Sequence, residues 1–136
     1  MNKIIQDIWI MLETGIVVFK RVYDEKFNPQ LFGAMMSALD TFAKEITSGS
    51  LNSFEISKKK FTLTQRENII FIVNSEPKAK QKKINQNVSM IMDKFFQLYG
   101  DYILDFDGEL DRFEGFEKHI EETLEDPIKK FEKGFW

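Results

Sequence analysis

Apolar residues follow two rhythms along this chain. Ile8-Trp9-Ile10-Met11-Leu12 and Ile69-Ile70-Phe71-Ile72-Val73 are apolar throughout, the mark of strands buried on both faces. Glu13-Thr14-Gly15 breaks the first run, and the β-branched and aromatic stretch Ile16 to Tyr23 follows. Two such runs around a short Gly-containing turn predict an antiparallel hairpin. Between residues 53 and 74 the period is two: Phe54 and Ile56, then Phe61 and Leu63, alternate with polar neighbours, and Glu67-Asn68 marks a turn. This predicts two or three strands, the last of them central.

The helical rhythm fills the remainder. Asn28-Pro29 supplies an N-cap and a first-turn proline, and apolar residues follow at 31, 32, 35, 36, 39, 42, 43 and 46 until Ser48-Gly49-Ser50. That spacing predicts an amphipathic helix. A second helix is expected from about Lys80 to Leu104, with Gly100 as a candidate bend or end. A third fits 109–124, with Leu110, Phe113, Phe116, Ile120 and Leu124 on one stripe. The stripes built on Met35, Met36, Leu39 and Phe42, and on Ile91, Phe95 and Leu98, are expected to be core. The order is β-β-α-β-β-β-α-α: an α/β (α+β) domain with a five-stranded antiparallel-type sheet. Two strands apolar on both sides need cover on both, so one helix is expected on one face and two on the other. Asp126-Pro127 ends the pattern. The domain is taken as 1–126 and the tail as 127–136, whose Ile128, Phe131, Phe135 and Trp136 are expected to pack back on it or to meet a partner or a membrane.

Composition narrows the chemistry. With 136 residues and 43% hydrophobic content, the chain is one domain with a sizeable core. Its 14 phenylalanines supply much buried area per residue. Having no cysteine, it forms no disulfide, thiolate nucleophile or sulfur-ligated zinc site. The apolar run at Ile4 to Leu12 is too short to span a bilayer, so a cytoplasmic location is expected. The net charge of −3 is unevenly spread: residues 105–126 sum to −8 and residues 1–104 to +3. Nucleic-acid binding wants a dominant basic face, which this balance argues against.

The order and segment lengths resemble the longin domain, as in clathrin-adaptor small subunits, longin SNAREs and tethering complexes. The resemblance rests on the Ile8–Leu12 strand with its Thr14-Gly15 hairpin and on the single helix 29–47. It continues through the block from Phe54-Glu55-Ile56 and Phe61-Thr62-Leu63 to Ile69–Val73. Met92-Asp93-Lys94-Phe95-Phe96 then stands in the family's second helix. It covers roughly residues 4–124 and is one of pattern rather than of an invariant signature. The roadblock domain is a close relative that usually begins with an extra helix, for which this sequence has no pattern. The resemblance implies a scaffold without nucleotide, metal or cofactor. Such a scaffold binds small GTPases or other longin or trafficking proteins, as a homo- or heterodimer; single-domain archaeal versions have this size.

Residues that carry chemistry are few. His119 is the one histidine, and no nucleophile is spaced to join it in a triad. No Walker-type or Gly-x-Gly-x-x-Gly loop occurs. Asp105, Asp107, Gly108, Asp111 and Glu114 fall at five positions of a calcium loop, but Ile103 stands where the first oxygen ligand belongs. Acids also suit a helix's first turn, so no metal site is assigned. Lys58, Lys59 and Lys60 form one basic run; Lys78, Lys80, Lys82 and Lys83 form another. Both are expected as solvated surface, or as contacts to an acidic partner or, weakly, an anionic membrane. The sheet edges are expected at Ile16–Tyr23 and Ser53–Lys58, and unpaired edges recruit other chains. A groove between the first helix and Phe54 and Ile56 is a second candidate surface. The alternative is a PAS- or profilin-like sensor, whose ligand would have to be apolar because the central strands are.

Overall fold

The computed structural model describes residues 4–22, 28–47, 49, 52–56 and 58–123; the tail 127–136, Tyr23 and Leu124 lie outside them. The elements are β1 (Ile8–Leu12), β2 (Val17–Arg21), α1 (Pro29–Thr47), β3 (Ser53–Ile56), β4 (Lys59–Arg66), β5 (Ile69–Ser75), α2 (Gln81–Leu104) and α3 (Phe116–Thr123). The sheet runs β2-β1-β5-β4-β3, antiparallel throughout. The two all-apolar runs, β1 and β5, are its central neighbours, Trp9 facing Ile72 and Ile10 facing Phe71. The expected element order and sheet are those observed.

Pleating sends alternate residues to opposite faces. Ile8 and Ile10 of β1 with Ile69, Phe71 and Val73 of β5 face α2 and α3, meeting Ile84, Val88, Ile91, Phe95, Phe116 and Ile120. Trp9, Met11, Ile70, Ile72 and Leu63 face α1, meeting Phe32 and Met36. One helix therefore covers one face and two cover the other. Aromatic contacts dominate the α2 side: Phe95 lies 5.6 Å from Phe71, 5.7 Å from Phe113 and 5.4 Å from Phe116, ring centre to ring centre.

Four sequence expectations change. Gly100 does not end α2, which continues to Leu104. The single third helix becomes a 3-10 turn, Leu110–Phe113, followed by α3. Three residues per turn bring Leu110 and Phe113 onto one side, and the break at Glu114-Gly115 lets Phe113 and Phe116 both enter the aromatic cluster. The other two concern α1 and Leu98 of α2.

Candidate functional site

Asn28 starts α1: its Oδ1 accepts hydrogen bonds from the N–H groups of Gln30 (2.8 Å) and Leu31 (3.3 Å). The first turns are pressed onto the β1–β2 hairpin. Gly15 turns there with φ of +99°, and a Cβ built on Gly33 would stand 2.1 Å from Gly15 O. Ser37 Oγ donates to Glu13 O at 2.7 Å, tying the next turn to the same hairpin.

Two ridges run along this helix. Phe32 and Met36 face the sheet, and that ridge continues into Asp40, a buried carboxylate paired with Lys44 at 3.1 Å. The other ridge is apolar from end to end and lies in solvent: Leu31 (67% exposed), Met35 (50%), Leu39 (40%), Phe42 (59%) and Ile46 (64%). Met35, Leu39 and Phe42, expected in the core, are thus surface residues; of that stripe only Met36 is buried. Leu98 of α2 is likewise exposed, whereas Ile91 and Phe95 are core. The sequence merges both ridges of α1 into one wide apolar band. The signal that separates them is the 4-3-4 spacing of residues 35, 39, 42 and 46, the rhythm of a helix–helix seam.

The nearby sheet edge is open. Leu63 N donates to Asn52 O at 2.9 Å, so Asn52, Phe54 and Ile56 turn their main-chain groups toward β4, and Ser53 and Glu55 turn theirs outward. Phe54 is half-buried and stacks on Phe61 at 4.8 Å, on the α1 side of the sheet. Ile56 shares that face and is 56% exposed. Where β3 stops short of β4, a concavity of about 610 Å³ opens between Asp40, Asn52, Leu63, Gln65 and Ile70, reaching around the edge to Gln81 and Asn85 of α2. Polar side chains line most of it, alongside Leu63 and Ile70. The opposite edge is capped at Val17. Gln30 Oε1 accepts from Val17 N (2.9 Å) and its Nε2 donates to Val17 O (3.0 Å), so one side-chain amide stands in for a neighbouring strand.

The two lysine runs, distant in sequence, share one end of the sheet: Lys60 pairs in register with Ser75 and its ammonium bonds the Gln81 side chain. Lys59 lies 3.6 Å from buried Asp7, which also accepts from Asn74 Nδ2 at 3.0 Å. The acidic loop after α2 is held differently. Asp107 accepts the Tyr102 hydroxyl (2.6 Å) and the Glu109 N–H (2.9 Å). Loss of water around the phenol, then the Asp107 bond, push Tyr102 up to about 12; the same bond holds Asp107 below the usual carboxylate range. Asp107 is thus engaged in shaping its own turn. Among the described residues no three His, Asp or Glu side chains converge as a metal site, and no helix is long and apolar enough to cross a membrane. His119 is half-buried on α3.

No family model matches the sequence, and no curated protein matches it. Solved structures do match the fold. Myxococcus xanthus MglB superposes with a TM-score of 0.56 at 10% identity, over 71% of this chain and 85% of that one. A roadblock/LC7 domain from Streptomyces avermitilis gives 0.56 at 12% identity, over 70% and 85%. The gliding protein MglB from Thermus thermophilus gives 0.50 at 6% identity, over 62% and 70%. These similarities narrow the longin resemblance to its roadblock relative: the chain has the roadblock/LC7 fold.

Proposed function

We propose that this domain is a non-catalytic protein-interaction module that assembles with a second copy through the outer ridge of α1 and the free edge of β3. The observation that carries the reading is the exposed ridge Leu31-Met35-Leu39-Phe42-Ile46. A continuous apolar stripe on a soluble surface is a contact waiting for cover, and its spacing suits another helix better than a flat surface. A two-fold axis beside β3 would let Ser53 and Glu55 pair with the same residues of the partner while one α1 meets the other. Phe54 and Ile56 fall inside such a contact. Small GTPases, or another longin or roadblock domain, are the wider partner class that the longin resemblance brings, with GTPase regulation as the setting.

Light scattering after size exclusion tests the assembly. The native chain is expected to elute as a dimer. The double variant Leu39→Lys/Phe42→Lys, altering only exposed positions, is expected to elute as a folded monomer. A monomeric native chain at concentrations near 100 μM, roughly where weak interfaces assemble, would remove the proposal.

A further inference from the structure

The lysine end has no part in the α1 contact, and its construction is unusual. Lys58 sits in the β3–β4 turn with Lys59 and Lys60 opening β4; Lys78, Lys80, Lys82 and Lys83 span the β5–α2 connection and the start of α2. Lys59 has Asp7 and Lys60 has Gln81. Lys58, Lys78, Lys80, Lys82 and Lys83 are exposed and have no salt bridge among the described residues. Folding does not ask for them. The first turn of α2 contains no acid and no side-chain cap, and cations there oppose the helix dipole.

Two features indicate what such an end fits. First, it contains lysine and no arginine. Arginine's planar fork suits specific carboxylates, and specific protein interfaces are enriched in arginine and depleted in lysine. A hydrated point charge on a flexible stem suits a diffuse anionic plane. Second, the opposite pole is acidic. The 24-residue α2 carries the chain about 36 Å from the lysines to Asp105, Asp107, Glu109 and Asp111. That is several Debye lengths, so the poles act independently. A negative plane attracts one and repels the other, which orients the molecule.

We infer that the lysine end docks reversibly and edge-on to an anionic phospholipid bilayer, holding the acidic pole away from it. This goes beyond the α1 reading, and neither requires the other.

Co-sedimentation of the full chain with vesicles tests it. Vesicles with about one third phosphatidylglycerol in phosphatidylcholine should retain the chain near 0.1 M salt and release it near 0.5 M. Pure phosphatidylcholine should not retain it. The variant K78Q/K80Q/K82Q/K83Q should bind the anionic vesicles at least about tenfold more weakly, and K58Q alone about fivefold; circular dichroism should show both folded. Glu109→Gln/Asp111→Gln at the far pole should bind no more weakly than the native chain. No retention on anionic vesicles overturns the inference, as does retention by the quadruple variant equal to native, or retention that survives high salt. Capture by polyglutamate with no retention on vesicles also overturns it, in favour of an acidic protein. Light scattering on the same samples keeps the two readings separate: a dimer that ignores vesicles sinks this inference alone.

Discussion

Single residues decide how tightly the pieces of this fold meet. Gly33 and Gly100 are both helical glycines, and only their surroundings differ. Alanine gains about 0.5–1 kcal/mol over glycine in a helix. At Gly100 the nearest atom to an added Cβ is 3.9 Å away, so Gly100→Ala should stabilise by roughly that amount. At Gly33 the Cβ would meet Gly15 O at 2.1 Å and Val17 Cγ2 at 2.8 Å. Overpacking against backbone costs about 1–3 kcal/mol or more, which outweighs the helical gain. Gly33→Ala should therefore lower the urea midpoint while Gly100→Ala raises it; equal shifts would mean α1 does not sit against the hairpin. Tyr102 gives a pH-dependent case. Asp107 is held below its ordinary 3.8, so its contribution is present above about pH 4 and lost as pH falls through the lowered value. Tyr102 is raised from 10.0 to about 12, so its contribution is present below pH 10 and fades toward pH 12. Tyr102→Phe should be less stable than native at neutral pH, and the gap should close on acidification. A gap constant from pH 6 to the acid limit, roughly pH 2 for a depressed carboxylate, would show that the Asp107 bond does not form.

At the scale of elements, the two sheet edges are treated unequally, and Gln30 is the reason. Its amide satisfies both main-chain groups of Val17. Gln30→Ala would leave them for water to reach, at a cost of about 1–2 kcal/mol, and would open a strand edge of the kind that recruits other chains. The variant should melt earlier and scatter more light on heating; an unchanged melt would mean water replaces the amide without loss. Nothing in the sequence marks Gln30 for this task, since a glutamine in a helix's first turn is ordinary. The strands were more legible. β1 and β5 announce themselves because burial on both faces leaves no polar alternation, and their central positions follow from that alone. α1 was legible in its bounds through Asn28 and Pro29 but not in its exposure. Periodicity tells which side of a helix avoids water; it does not tell whether the sheet or another molecule covers that side. The third helix failed for a related reason. Spacings of three and four fit Leu110, Phe113, Phe116 and Ile120 alike whether the chain is one helix or a 3-10 turn and a helix. The choice was made by the rings of Phe95 and Tyr99, which lie 5.7 and 5.1 Å from Phe113.

At the scale of the whole molecule, charge and apolar surface are laid out separately. Lysines crowd one end, the acids of residues 105–111 stand at the far end of α2, and the apolar ridge of α1 runs along one sheet face with the open β3 edge beside it. The lysine convergence was hidden in the sequence because the runs stand some twenty residues apart, and only the pairing of Lys60 with Ser75 brings them together. The apolar ridge also has a thermodynamic consequence. If a second copy covers it, folding and assembly are linked, and the folded state gains stability with concentration. A tenfold rise in protein concentration then stabilises a dimer by about 1.4 kcal/mol, which moves the melting midpoint by roughly 2–4 °C for a chain of this size. Leu39→Lys/Phe42→Lys removes the cover without touching the buried ridge of Phe32 and Met36. Its midpoint should not depend on concentration, and it should lie below the native midpoint at high concentration and approach it on dilution. Convergence on dilution is the informative feature, because a variant damaged in its own core would stay lower at every concentration. A native midpoint that is flat across a hundredfold range, roughly two such steps, would show that the ridge is exposed in the working molecule and that its cover must be sought in a different protein.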